Sequence, residues 1–157
     1  MKTLAYVIGG EARLVSQAFE QNEIYKQLCK EYDVSVYVHS WTQVFKWNKD
    51  NADYRWARTQ GYYPPGSKNS YKTKDDIISE YSIYKPKAIN VEEYNESYND
   101  DDFPFGQYIS RARGYRSIEQ CDYVWLGRSD LVGQGPLPQL QEGKIFCPSV
   151  SFEESTN

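Results

Sequence analysis

Histidine and methionine each occur once in this 157-residue chain, and cysteine three times. The lone His39 excludes a histidine-rich metal site and leaves a Ser-His-Asp triad no more than conceivable. Cys29, Cys121 and Cys147 lie far apart and form no CxxC pair. An odd count without a framework fits a reducing compartment, or one not selected for disulfides. No apolar run approaches membrane-spanning length, and the opening "MKTLAYVIGG" is too short for a secretory signal and lacks a small-residue cleavage pattern. The expectation is a protein without a membrane span that stays where it is synthesised, in the cytoplasm. Basic charge is not in excess: 18 Lys and Arg stand against 22 Asp and Glu, for a net charge of -4, with the signs mixed except in "NDDDF" at 99–103. Without a basic stripe, nucleic acid is not an expected partner.

What the chain has in quantity is aromatic residues, 16% of the total, with 15 Tyr, 6 Phe and 4 Trp. They compensate for a modest 39% of hydrophobic residues, and the length suits one domain, residues 1–157. The tyrosines also suggest a polar, tyrosine-rich surface for contact with a glycan or a protein.

The pattern along the chain alternates strand and helix. Residues 2–10 read as a strand closed by two glycines, and 12–32 carry apolar residues near helical spacing at Leu14, Ala18, Ile24, Tyr25 and Leu28. "DVSVYVHSW" at 33–41 is a second strand, so the opening is a parallel βαβ unit. Residues 42–60 admit a helix, and the Pro- and Gly-containing 61–73 a long loop. A short helix over 74–84 stops before Pro86, followed by a third strand at 87–93 and a polar link that includes the aspartates at 100–102. Residues 103–120 predict a helix, 122–131 a strand, 133–143 a loop and 144–150 a last strand. The order predicts an α/β fold, a Rossmann-like mostly parallel sheet with helices on both faces. Ligands of such sheets bind beyond the carboxyl ends of the strands, so polar residues there are the candidates.

Three strand ends qualify. "GGEARL" at 9–14 offers Gly9 and Gly10, which let a backbone approach a ligand, and Arg13, which reaches a phosphate or carboxylate from a helix start. The alternative is a tight turn with a solvated arginine. "VHSW" at 38–41 ends on His39 and Trp41, which read as a satisfied structural histidine and a cover for the core edge. "GRSD" at 127–130 places Arg128 to neutralise a diphosphate and Asp130 to give oxygen to Mg2+ or Mn2+; the alternative is an exposed ion pair. Asp122, before that strand, reads as a cap or turn residue, and the aspartates at 100–102 as a solvated linker.

With these residues in view, the chain resembles a family of GT-A-type glycosyltransferases that use nucleotide-diphospho-sugars and are frequent in viruses, bacteria and algae. The resemblance lies in the order of "VIGGEARL", "DVSVYVHSW", "FGQYISRARGYRSIEQ" and "CDYVWLGRSDL", which together span most of the chain. It implies a nucleotide-sugar donor with a divalent cation on Asp130, Arg128 beside the diphosphate, and Arg13 near the nucleotide. Gln107, Ser110 and Arg111 would flank the donor pocket, and the acceptor would be an unknown glycan or protein. If the source is a virus, the compartment would be the host cytoplasm or the virion. Two features depart from the family: Leu126 stands where an arginine is common, leaving one carboxylate in the motif, and much of the usual C-terminal acceptor part has no counterpart before Asn157. The other expectation is therefore a non-catalytic binding or structural module, such as a virion component, that keeps the fold.

Overall fold

The computed structural model describes residues 1–46, 68–94, 99–100, 103–104, 106–129 and 133–144. In chain order the elements are β1 (Thr3–Glu11), α1 (Val15–Gln21), α2 (Glu23–Glu31), β2 (Asp33–Trp41), β3 (Gln43–Lys46) and β4 (Lys68–Tyr71). They continue with α3 (Lys74–Tyr81), a 3-10 turn (Ser82–Tyr84), β5 (Ala88–Glu92), the two-residue β6 (Asn99–Asp100) and β7 (Phe103–Pro104), α4 (Gly106–Arg116) and β8 (Tyr123–Gly127).

Four strands form the main sheet in the order β5-β2-β1-β8, and every pairing in it is parallel. β1 is buried from Leu4 to Gly10 without alternation, as a strand covered on both faces must be. Its even-numbered side chains, Leu4, Tyr6 and Ile8, join Val36, Val38 and Val91 beneath Val15, Leu28, Ile77 and Tyr81 of the first three helices. Its odd-numbered Ala5 and Val7 face the other way with Tyr37, and there Gly114 of α4 sits against Val7 and His39. The fold is thus the α/β, Rossmann-like parallel sheet with helices on both faces that the alternation of elements predicts. Many tyrosines serve this core rather than the surface: Tyr6, Tyr25, Tyr84 and Phe19 form a ring cluster with centroids 4.7 to 6.5 Å apart. Burial accordingly pushes the Tyr25 and Tyr84 phenols up.

Several boundaries differ from the sequence pattern, each for a local reason. The helical stretch over 12–32 is two helices, because Asn22 leaves helical geometry (φ -81, ψ 83) and its side chain accepts the Tyr25 N–H at 3.0 Å, capping α2. Helix α1 begins later than expected, at Val15, after Leu14 takes a left-handed conformation (φ 47). Residues 43–46, within the stretch that admits a helix, and 68–71, within the expected loop, pair as antiparallel strands with Val44 opposite Ser70. Branched and aromatic side chains there favour the ladder over a helix. Helix α4 and strand β8 are each shorter than their sequence patterns. Asp122, expected to be a cap or turn residue, ties the start of β8 to the start of β1: its carboxylate accepts the Thr3 N–H at 2.8 Å and the Thr3 hydroxyl at 3.0 Å, and backbone and hydroxyl together hold it below the usual range. The last strand expected, 144–150, lies outside the described residues except for Lys144.

The chain leaves β1 toward β2 and β5, then returns across the sheet through α4 to β8 on the other side of β1. The winding therefore reverses between β1 and β8, which makes their carboxyl ends the topological switch point of the sheet.

Candidate functional site

At the switch point the β1 turn is tied to the end of β8. Ser129, 2% exposed, donates its hydroxyl to the Glu11 carbonyl at 2.6 Å and accepts the Arg13 N–H at 3.1 Å. Arg128 and Arg13 are thus delivered to one place from opposite ends of the sequence. The Arg13 guanidinium is ion-paired with the Glu11 carboxylate, so it brings its own counter-charge with it. Below, Lys72 braces the turn, donating to the Ala12 carbonyl at 3.0 Å while paired with Glu80 at 2.7 Å.

Helix α4 meets the same turn from the other face. The Gly10 N–H, in a residue with φ 109, donates to the Ser110 Oγ at 2.6 Å. A Cβ on Gly9 would lie 3.0 Å from the backbone nitrogen of Arg111 and 3.0 Å from its Cγ. Gly9 is therefore small because the helix backbone passes over it. Arg111 crosses at this point with its Nε buried and, among the described residues, without a hydrogen-bond partner. An unsatisfied buried donor of this kind costs about 1–3 kcal/mol, more when charged. Gln107 lies in the first turn of α4, and its side chain is outside the described residues.

Ser110 also connects the turn to a buried polar chain. Its Oγ lies 2.6 Å from His39 Nδ1, and His39 Nε2 lies 2.5 Å from Glu92, which accepts from Arg113 at 2.6 Å. Charge balance selects the tautomer: Arg113 already neutralises Glu92, so the imidazole is neutral, donating from Nε2 to the carboxylate. Nδ1 then accepts the Ser110 proton, the shorter alternative to the His39 carbonyl at 3.1 Å. Burial pushes the His39 pKa down, Arg113 adds to this, and the Glu92 bond opposes it. Burial alone would raise Glu92, but the hydrogen bonds from His39 and Arg113 outweigh it and hold the carboxyl low. Arg113 also lies 5.5 Å over the ring of Trp41, itself 2% exposed, so His39 and Trp41 take the structural roles the sequence suggests. Ser110, with 0% exposure, is a link between helix and turn rather than an accessible nucleophile.

Of the residues singled out by sequence, Gly9, Gly10, Arg13, Ser110, Arg111 and Arg128 thus come from three segments to one sheet edge. Asp130 lies outside the described residues. Among the described residues no three His, Cys, Asp or Glu side chains are grouped to hold a metal ion, so they do not by themselves fit a cation centre. Sequence reasoning missed Glu11, Lys72, Glu92, Arg113 and Ser129. Glu92 and Ser129 were within reach of the strand-end rule that found their neighbours, whereas Lys72 sits in a stretch read as loop.

Comparison with family models, with curated proteins and with solved structures finds no match to this chain. Among the described residues no helix is long and apolar enough to cross a membrane. A cavity of about 580 Å³ lined by Met1, Cys29, Tyr32, Asp33 and Val34 lies at the amino end of β2, away from the switch point. Strand topology makes the carboxyl edge the better candidate.

Proposed function

We propose that this chain is a glycosyltransferase-like domain that binds the diphosphate of a nucleotide-sugar at the carboxyl ends of β1 and β8, for transfer of the sugar to an acceptor. The observation that carries the reading is the buried Arg111 Nε beside Gly9, unpartnered among the described residues, at the edge where Arg13 and Arg128 also arrive. An anion at that edge would meet the Arg111 guanidinium, whose planar fork matches phosphate oxygens, beside Arg13, whose charge Glu11 already balances. The resemblance in segment order supports a nucleotide-sugar as the source of that anion. Asp130, next to Ser129 in sequence, is the residue proposed to hold Mn2+ or Mg2+, which when bound would offset diphosphate charge.

Thermal shift with UDP and GDP, with and without Mn2+, tests this on wild type, Arg111→Ala and Asp130→Ala. Ligand at one hundred times its Kd stabilises by about 2.7 kcal/mol, a rise of roughly 5–10 °C for a chain of this size. The expected result is a rise in wild type that Arg111→Ala reduces and whose Mn2+-dependent part Asp130→Ala removes. No rise in a protein that melts cooperatively would reject the reading. It would favour the second one, a non-catalytic binding module, which is supported by the exposed apolar side chains Val124 and Leu126 on β8, an edge strand among the described residues.

A further inference from the structure

Beyond the ends of β2 and β5 the surface opens into a cleft of about 530 Å³, lined by Thr42, Tyr71, Thr73, Lys74, Glu93 and Tyr94. Its size falls in the range of small-molecule sites. Its floor is fixed by backbone ties: the Thr42 N–H donates to the Glu92 carbonyl at 3.0 Å, and the Thr42 carbonyl accepts the Lys72 N–H at 2.9 Å. Tyr94 is held edge-on to the buried Trp41, with centroids 5.3 Å apart at 81°. Tyr71, by contrast, is 67% exposed. The cleft therefore presents one anchored and one open tyrosine ring.

Charge decides which ligands fit. Lys72, also in the lining, is spent on Glu80 and the Ala12 carbonyl. Lys74 and Glu93 remain, with opposite signs, so the lining has no net charge with which to select an anion or a cation. A purely apolar ligand would cover both charged tips without pairing them, at a cost, while the Thr73 oxygen already accepts the Asp76 N–H at 3.1 Å and has its O–H left to offer a ligand. A neutral ring carrying hydroxyls on its rim and C–H groups on its faces satisfies both parts of the lining.

We propose that this cleft is a binding site for a neutral saccharide. On the reading given above it would be the acceptor site, since Lys72 joins its wall to the β1 turn; the binding of saccharide itself does not depend on that reading. The test is saturation-transfer NMR on the full chain with lactose, maltose, cellobiose and N,N′-diacetylchitobiose at millimolar concentration, for wild type, Tyr71→Ala and Tyr71→Phe. At least one disaccharide is expected to bind, Tyr71→Ala to weaken it about five- to tenfold, and Tyr71→Phe to retain most of the affinity. Because Tyr71 is exposed, both variants should melt as wild type does. Absence of binding by all four sugars to the folded chain, or equal affinity in Tyr71→Ala, overturns the proposal. The nucleotide thermal shift, run on the same samples, reports separately on the donor site: its absence alongside saccharide binding rejects only the transferase reading.

Discussion

Glycine at a strand end has two physical explanations, room for a ligand or room for another part of the chain, and Gly9 distinguishes them by what stands 3.0 Å from its absent Cβ. The neighbours are the backbone nitrogen and Cα of Arg111, and they have little freedom to withdraw because the adjacent Ser110 is bonded to the Gly10 N–H at 2.6 Å. Gly9→Ala should therefore lower stability without any ligand present, by about 1–3 kcal/mol from overpacking, seen as a fall in melting temperature. An unchanged melting temperature with altered nucleotide binding would instead make Gly9 a ligand-facing residue. The sequence offered a ligand-facing glycine or a tight turn, not a crossing helix. The position of Gly9 at a strand end was legible from the apolar run Leu4–Ile8 before it, but the helix that covers it comes 100 residues later, from Gly10 to Ser110, and no local pattern announces such a crossing. Glu11 illustrates the same limit, because pairing with Arg13 depends on how the turn between them folds.

At the scale of elements, α4 is joined to β1, β2 and β5 by the chain Gly10, Ser110, His39, Glu92, and this predicts how stability responds to acid. His39 is buried neutral with its pKa below the ordinary 6.5, so the unfolded chain takes up a proton before the folded one does. Stability should rise with pH through this region and fall as the pH drops below about 6.5. Glu92, held below the ordinary 4.5, contributes stability that is present above that value and lost as the pH falls through its lower folded value. Urea unfolding at pH 7.5, 6.5 and 5.5 should show the first loss, and His39→Asn should flatten it, because no other histidine titrates in that window. A wild-type stability constant from pH 7.5 to 5.5 would contradict the neutral assignment. The strands β1, β2, β5 and β8 could be read directly from branched and aromatic residues bounded by turn formers, and β1, buried on both faces, is also a continuous apolar run. The break at Asn22 and the pairing of 43–46 with 68–71 could not, because the first turns on one capping bond and the second on partners far apart in sequence.

For the whole molecule, strand order is what locates the candidate site. The parallel order β5-β2-β1-β8 sets a reversal of winding beside β1, and at that edge Arg13, Arg111 and Arg128 arrive from three segments. Strand-end polar residues could be picked out in the sequence, but not the Glu11 counter-charge or the Arg111 nitrogen left unsatisfied among the described residues. The most direct measurement is a 1H–15N NMR titration of the full chain with UDP and with GDP in the presence of Mg2+, which maps the bound nucleotide onto backbone amides. The account predicts the largest saturable changes at Gly10, Arg13, Arg111, Arg128 and Ser129. Changes confined to Met1, Cys29 and Tyr32 at the opposite edge, or none at millimolar nucleotide, would contradict it.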